Sequence, residues 1–192
     1  MEKLKRPHYS AFIAASLDGR IALSNKTKPD WTSPEDWKFF QESLAKMDAV
    51  VVGRNTYEAA IDHLKKRRTF VLTSRTKKLS HRGSVTFVNP KNISIESLLQ
   101  EFKNIAIVGG NSVYQTMLDR GLLDELFLTI EPLIFGRGKE MFTGGTKNTR
   151  TRLVSVKRLN TKGTLLLHYE VVQQAKNHAS QKAKKALRKA TK

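Results

Sequence analysis

Asp48-Ala49-Val50-Val51-Val52-Gly53-Arg54-Asn55-Thr56-Tyr57-Glu58 is the stretch on which the fold turns. Its first half is apolar and β-branched with no polar alternation, the pattern of a strand covered on both faces, as in a parallel sheet. Gly53 ends the run and a helix-compatible segment follows. The strand signature recurs at residues 69–73 and 105–108, with helix-like stretches at 56–64 and 94–102 between, so strands and helices alternate as in an α/β domain.

Toward the N-terminus, residues 8–16 read as a strand followed by a polar loop through Trp31 that holds Asp18-Gly19, Asn25 and Pro29. Thr32-Ser33-Pro34-Glu35-Asp36 then starts a helix: a hydroxyl N-cap, proline in the first turn, and acids where the helix dipole favours negative charge. Trp37, Phe40, Leu44 and Met47 continue it at helical spacing. Toward the C-terminus, residues 112–123 read as a helix with Val113, Met117 and Leu118 on one side and Gly121 near its end. Residues 126–130, 152–159 and 164–172 read as strands joined by glycine-containing turns without helices, which predicts an antiparallel addition to the sheet. The expected architecture is a three-layer α/β fold: a mostly parallel central sheet, antiparallel C-terminal strands, and helices on both faces.

The 192 residues, 39% of them apolar, suffice for one domain with a real core. Residues 173–192 carry seven Lys/Arg and no Asp or Glu, so a domain over 1–172 and a basic Lys/Ala-rich tail over 173–192 are expected. No cysteine is present, which excludes disulfides, thiolate nucleophiles and zinc ribbons, and a reducing cytoplasm is the expected compartment. Every apolar run falls short of the roughly 18 residues of a membrane helix, so no span is expected. His8, His63, His81, His168 and His178 lack metal-ligand spacing, and no G-x-S-x-G elbow or P-loop occurs; no metal site is expected, and hydrolase and NTPase chemistries fall away. The net charge of +18 attracts polyanions, among them phosphorylated cofactors and, through the tail, nucleic acid.

Ile105-Ala106-Ile107-Val108-Gly109-Gly110-Asn111-Ser112 is a strand running into a helix through two glycines. Such a turn lets a ligand touch backbone, and the helix start offers free N–H groups to a phosphate, although a Gly-Gly turn is more often only a turn. The G-x-G-x-x-G fingerprint is absent, so a Rossmann domain is not supported. Ligands of α/β sheets bind at the carboxyl ends of parallel strands, so the turns at Gly53 and Gly109 should share an edge with Val71-Leu72-Thr73-Ser74-Arg75. Arg54 and Arg75 suit a bidentate grip on phosphate, and Thr56, Thr73 and Ser74 offer hydroxyls. Three convergent junctions favour a phosphorylated nucleotide.

Ala15-Ser16-Leu17-Asp18-Gly19-Arg20-Ile21-Ala22, Trp31-Thr32-Ser33-Pro34-Glu35-Asp36, Asp48 through Glu58, Val108-Gly109-Gly110, Gly121-Leu122-Leu123-Asp124-Glu125-Leu126 and Pro132-Leu133-Ile134-Phe135-Gly136-Arg137-Gly138 together resemble the reductase domain of bacterial riboflavin biosynthesis. That domain forms the C-terminal part of a bifunctional deaminase–reductase and shares its fold with dihydrofolate reductase. The resemblance, over about residues 7 to 172, implies NADPH as cofactor. Gly53, Arg54, Asn55 and Thr56 with Thr73, Ser74 and Arg75 would lie near the adenosine and its 2′-phosphate. Gly109, Gly110 and Asn111, with Ser112 and Val113 behind them, would lie near the diphosphate. It also implies a heterocyclic substrate touched by Ser16, Trp31 and Phe40, and a homodimer built around the C-terminal strands.

Two departures bear on the substrate. The family's second strand is usually followed by an Asp-Pro-x-Leu-Thr-x-Arg loop that helps hold a phosphoribosyl group; residues 59–68 here are rich in Lys and Arg without that motif. The deaminase zinc signature is absent as well. Asp36 stands where dihydrofolate reductases carry the pocket carboxylate, able to bond the N–H edge of a pterin or pyrimidine and assist protonation, or it only complements the helix dipole. Asp18 is either ordinary Asp-Gly turn chemistry or a catalytic group on a loop over nicotinamide and substrate. A riboflavin-type reductase, a stand-alone dihydrofolate reductase and a nucleic-acid-associated protein remain the three readings.

Overall fold

In the computed structural model, residues 6–24, 30–144 and 148–172 are described. The tail over 173–192 and the centre of the Ser16-to-Thr32 loop lie outside them. Eleven strands and five helices follow in the order β1 (His8–Ser16), β2 (Arg20–Ala22), α1 (Pro34–Leu44), β3 (Ala49–Gly53), α2 (Arg54–Ala59), α3 (Ile61–Leu64), β4 (Thr69–Leu72), β5 (Leu79–Arg82), β6 (Val85–Val88), α4 (Ile95–Leu99), β7 (Asn104–Ile107), α5 (Asn111–Asp119), β8 (Glu125–Glu131), β9 (Lys139–Glu140), β10 (Arg150–Arg158) and β11 (Leu165–Val172). Nine strands form one sheet in the order β10-β11-β8-β1-β7-β3-β4-β6-β5, while β2 pairs with β9.

Neighbours from β8 to β6 are parallel; β11 runs antiparallel to β8, and β10 antiparallel to β11. Alternation within each central strand divides the core. Val51 and Ile107 pack on one face with Ile95 and Leu99 of α4 and Met117 of α5. Val50, Val52 and Ala106 pack on the other with Leu44 of α1, Tyr57 of α2 and Leu64 of α3. Residues one apart point to opposite faces, so an unbroken run of valines feeds both layers at once. The three-layer expectation holds.

Two local readings change. The helix-like stretch at 56–64 is split at Ala60 (φ −121°, ψ 24°) into α2 and α3. The β5–β6 hairpin went unread, although Val85-Thr86-Phe87-Val88 is a strand-like run and Gly83, at φ +59°, turns the chain just before it. At the opposite edge, all nine residues of β10 are exposed, Leu153, Val154 and Val156 among them.

Candidate functional site

A cleft of about 210 Å³ is lined by α1, the middles of β1 and β8, and the turns after β3 and β7. Its first wall is backbone. The Gly53 N–H donates to the Gly109 carbonyl at 2.6 Å, joining two strand-to-helix junctions 56 residues apart in sequence by direct contact. Gly109 has φ +93° and precedes a cis peptide to Gly110. A Cβ on Gly109 would lie 2.9 Å from the Tyr114 hydroxyl, and one on Gly110 would lie 3.3 Å from Thr56 Oγ1. The wall therefore tolerates only glycine at its tightest point. Gly110 caps α5 without a side-chain bond, and of the early amides Ser112 N–H turns to Asn111 Oδ1 at 2.9 Å. Helix N-termini left in that state attract anions.

The second wall is side chain. Ser33 caps α1 by accepting the Asp36 N–H at 3.3 Å, with Pro34 in the first turn. Asp36 thereby enters the cleft only 8% exposed. Burial is the main cause that pushes its carboxyl above the usual range; the Glu131 carboxylate adds to this, while hydroxyls of Thr129 and Thr32 donate to it and pull the other way. Phe12 of β1 and Phe127 of β8 stack at 5.2 Å beside it, with Phe39 and Phe40 against Phe12. Trp37 meets His63 edge-on at 4.8 Å. Among the described residues lining the cleft, Asp36 is the carboxylate and Lys139 the primary amine.

Of the residues picked from sequence, Asp36, Trp31, Phe40, Asn55, Thr56, Gly109, Gly110 and Asn111 line the cleft together. Gly53 sits behind, on Gly110. Arg54 is paired with Glu58 at 2.7 Å, while Thr73, Ser74 and Arg75 follow the neighbouring β4, where Thr73 Oγ1 accepts the Arg75 N–H at 3.2 Å. Ser112 is exposed beyond the lining.

Three more of the expected site residues lie outside the cleft lining. The Val113 side chain is core, against Gly53, and lies outside the lining. Ser16 is fully buried: its hydroxyl donates to Asp18 and accepts the Arg20 N–H, so no surface remains for substrate. Asp18 is exposed and outside the lining, its oxygens accepting the N–H groups of Phe135 and Gly136 at 3.0 and 2.9 Å. The Ser16 hydroxyl and those amides hold its pKa below the usual value. The carboxylate ties two loops together.

Thr129, Tyr114, Phe12, Phe127, His63 and Lys139 line the cleft but were not singled out from sequence. Tyr114 donates to the Phe12 carbonyl at 2.6 Å, and burial raises its pKa. Thr129 had a weak signal: a hydroxyl inside an otherwise apolar strand.

The model of the RibD C-terminal domain family matches residues 7–165. The chain belongs to the RibD C-terminal domain family. This is a reductase family, and the chain is a riboflavin-type oxidoreductase by that membership. The uncharacterised protein YwjB of Bacillus subtilis is 27% identical over 168 residues, 82% of this chain and 94% of YwjB. The RibD structure from Acinetobacter baumannii superposes with a TM-score of 0.71 at 19% identity, over 88% of this chain and 59% of that one. Enterococcus faecalis dihydrofolate reductase, solved with NADP(H), superposes at 0.61 with 24% identity, over 88% of this chain and 98% of that one. At such identities the two superpositions speak for the fold. Among the described residues, no helix of this RibD C-terminal domain protein is long and apolar enough to cross a membrane.

Proposed function

We propose that the protein transfers hydride from NADPH to a pyrimidine- or pterin-like heterocycle bound against Asp36. The observation that carries this reading is a buried carboxyl, its pKa raised by that burial, sharing one cleft with the glycine wall. The glycine wall suits a diphosphate: a Cβ-free turn, the Thr56 hydroxyl against Gly110, and the start of α5 with no side-chain cap. Asn55, Thr56, Gly110 and Asn111 would hold the dinucleotide, and Arg54, released from Glu58, or Arg75 would take its 2′-phosphate. The cofactor supplies hydride; the protein supplies orientation and charge. Asp36 would bond the N–H edge of the heterocycle and keep a proton near the reducible bond, its Thr129 and Thr32 partners fixing the orientation. The aromatic wall of Phe12, Phe40 and Phe127 suits a flat ring.

NADPH oxidation measured separately with dihydrofolate and with the phosphoribosylaminopyrimidinone tests this. Turnover with one of them is expected, and silence with both overturns the reading. Membership of the family favours the pyrimidine arm, and the missing phosphoribosyl-binding loop motif is what keeps the pterin arm in the test.

The same reading extends to assembly: β10, exposed along its whole length, would pair two copies into a homodimer. Light scattering should give twice the chain mass, and Val156→Lys should halve it. The domain over 1–172 carries the reaction, so removing the basic tail over 173–192 should leave turnover intact; any nucleic-acid contact it makes should fade steeply with salt in filter binding.

A further inference from the structure

On β8, two residues beyond Thr129 and on the same face, lies a second carboxylate, Glu131, only 3% exposed. Its Oε1 accepts the backbone N–H of Ser33 at 2.7 Å, and its Oε2 accepts the Thr164 hydroxyl at 2.7 Å. Ser33 is the N-cap whose hydroxyl accepts the Asp36 N–H. Thr164 belongs to the turn between β10 and β11, where Asn160 donates both to Thr164 Oγ1 at 2.9 Å and to Glu35 at 3.1 Å. One side chain thus gathers β8, the start of α1 and the C-terminal hairpin turn.

A neutral acceptor would satisfy the Ser33 amide and the Thr164 hydroxyl equally well. A carboxylate beside Asp36 instead brings two acids into one desolvated region, an unfavourable arrangement for a mere staple. We propose that Glu131 is a positioning residue for Asp36: its carboxylate clamps the start of α1 to β8 and to the β10–β11 turn, fixing how Asp36 enters the cleft. This rests on the reading of Asp36 as the substrate-facing acid. The like charge adds to burial in raising the Asp36 carboxyl above the usual range. The other titratable groups lining the cleft are His63 on α3, Tyr114 on α5 and Lys139 on β9, while Glu35 of α1 is exposed and accepts from Asn160 of the same turn. All stay in place in the variants below.

The test is carboxyl-carbon NMR on the full-length protein, wild type against Glu131→Gln, with Asp36→Asn for assignment and the Ser33 amide followed by hydrogen exchange. Removing the charge should move the Asp36 titration to lower pH by roughly one unit, the scale of a neighbouring charge. Exchange of the Ser33 amide should quicken in Glu131→Ala, which removes both acceptors. An Asp36 midpoint unchanged in a folded Glu131→Gln protein overturns the proposal. If that variant does not fold, Thr164→Val, which takes one hydroxyl from Glu131 and leaves both carboxyls in place, is read in its stead. Its Ser33 amide should exchange faster than in wild type, and an unchanged amide overturns the proposal equally. NADPH turnover of Asp36→Asn bears on the functional reading alone, so failure of the clamp and failure of that reading are told apart.

Discussion

The two walls of the cleft are built by opposite means. The glycine wall is backbone against backbone, with Gly53 donating to Gly109 and no room for a Cβ at its tightest point. The carboxylate wall is side chain against side chain, with Asp36, Thr129, Glu131 and Thr164 drawn from α1, β8 and the β10–β11 turn. Backbone geometry tolerates almost no change, because any added atom collides. A side-chain network tolerates change of shape but responds sharply to change of charge. Substitutions in the first wall should therefore read out chiefly as stability and cofactor binding, and those in the second as turnover and pH dependence.

The largest effect is expected at Asp36. Asp36→Asn should lower NADPH-dependent turnover by about a hundred- to ten-thousandfold, the range of a lost general acid. Stability should move the other way. With its native pKa raised above the unfolded value, Asp36 loses stability as pH climbs from the unfolded carboxyl range through the native one. The Asn variant should thus melt higher than wild type at neutral pH and converge with it in acid, as thermal unfolding across pH would record. A variant that is less stable at neutral pH would remove the charge-burial account of this wall.

Gly109→Ala comes next. With φ +93° and the Tyr114 hydroxyl 2.9 Å from the new Cβ, a loss of roughly 2–4 kcal/mol in urea unfolding is expected from combined strain and overpacking. Neutrality there would mean that the glycine wall is softer than its contacts indicate. Arg54→Ala should raise the KM for NADPH about tenfold or more and leave NADH nearly unchanged, the scale of one lost charged hydrogen bond. Equal losses for both would take Arg54 out of the 2′-phosphate site and leave it to Glu58. The smallest effect belongs to Asp18→Ala, which should keep turnover within about threefold, as exposed substitutions do. A loss as deep as that of Asp36→Asn would restore Asp18 to the chemistry.

The glycine wall was legible because its signals are local. Asp48 to Gly53 and Ile105 to Gly110 each announce a buried strand ending in a turn, and the rule that ligands gather at the carboxyl ends of parallel strands puts the two turns on one edge. The carboxylate wall was half legible. Asp36 stood out at a helix start, but Thr129 read only as a polar position in a strand, Glu131 fell just past that strand's end, and Thr164 opened the last strand. Asp18 is the complementary case: a conspicuous acid after a strand, whose oxygens are taken by amides of residues 135 and 136.

The amino-acid pattern alone determined the layers, the parallel core, the antiparallel C-terminal addition and the two glycine turns, since periodicity and turn chemistry act over a few residues. The tertiary structure alone decided which acid enters the cleft and which only ties loops. That choice depends on burial and on partners about a hundred residues away, such as the Ser33 amide on Glu131 or the Phe135 amide on Asp18. Desolvation and hydrogen bonding set a carboxyl's proton affinity, and neither exists until the chain has closed on itself.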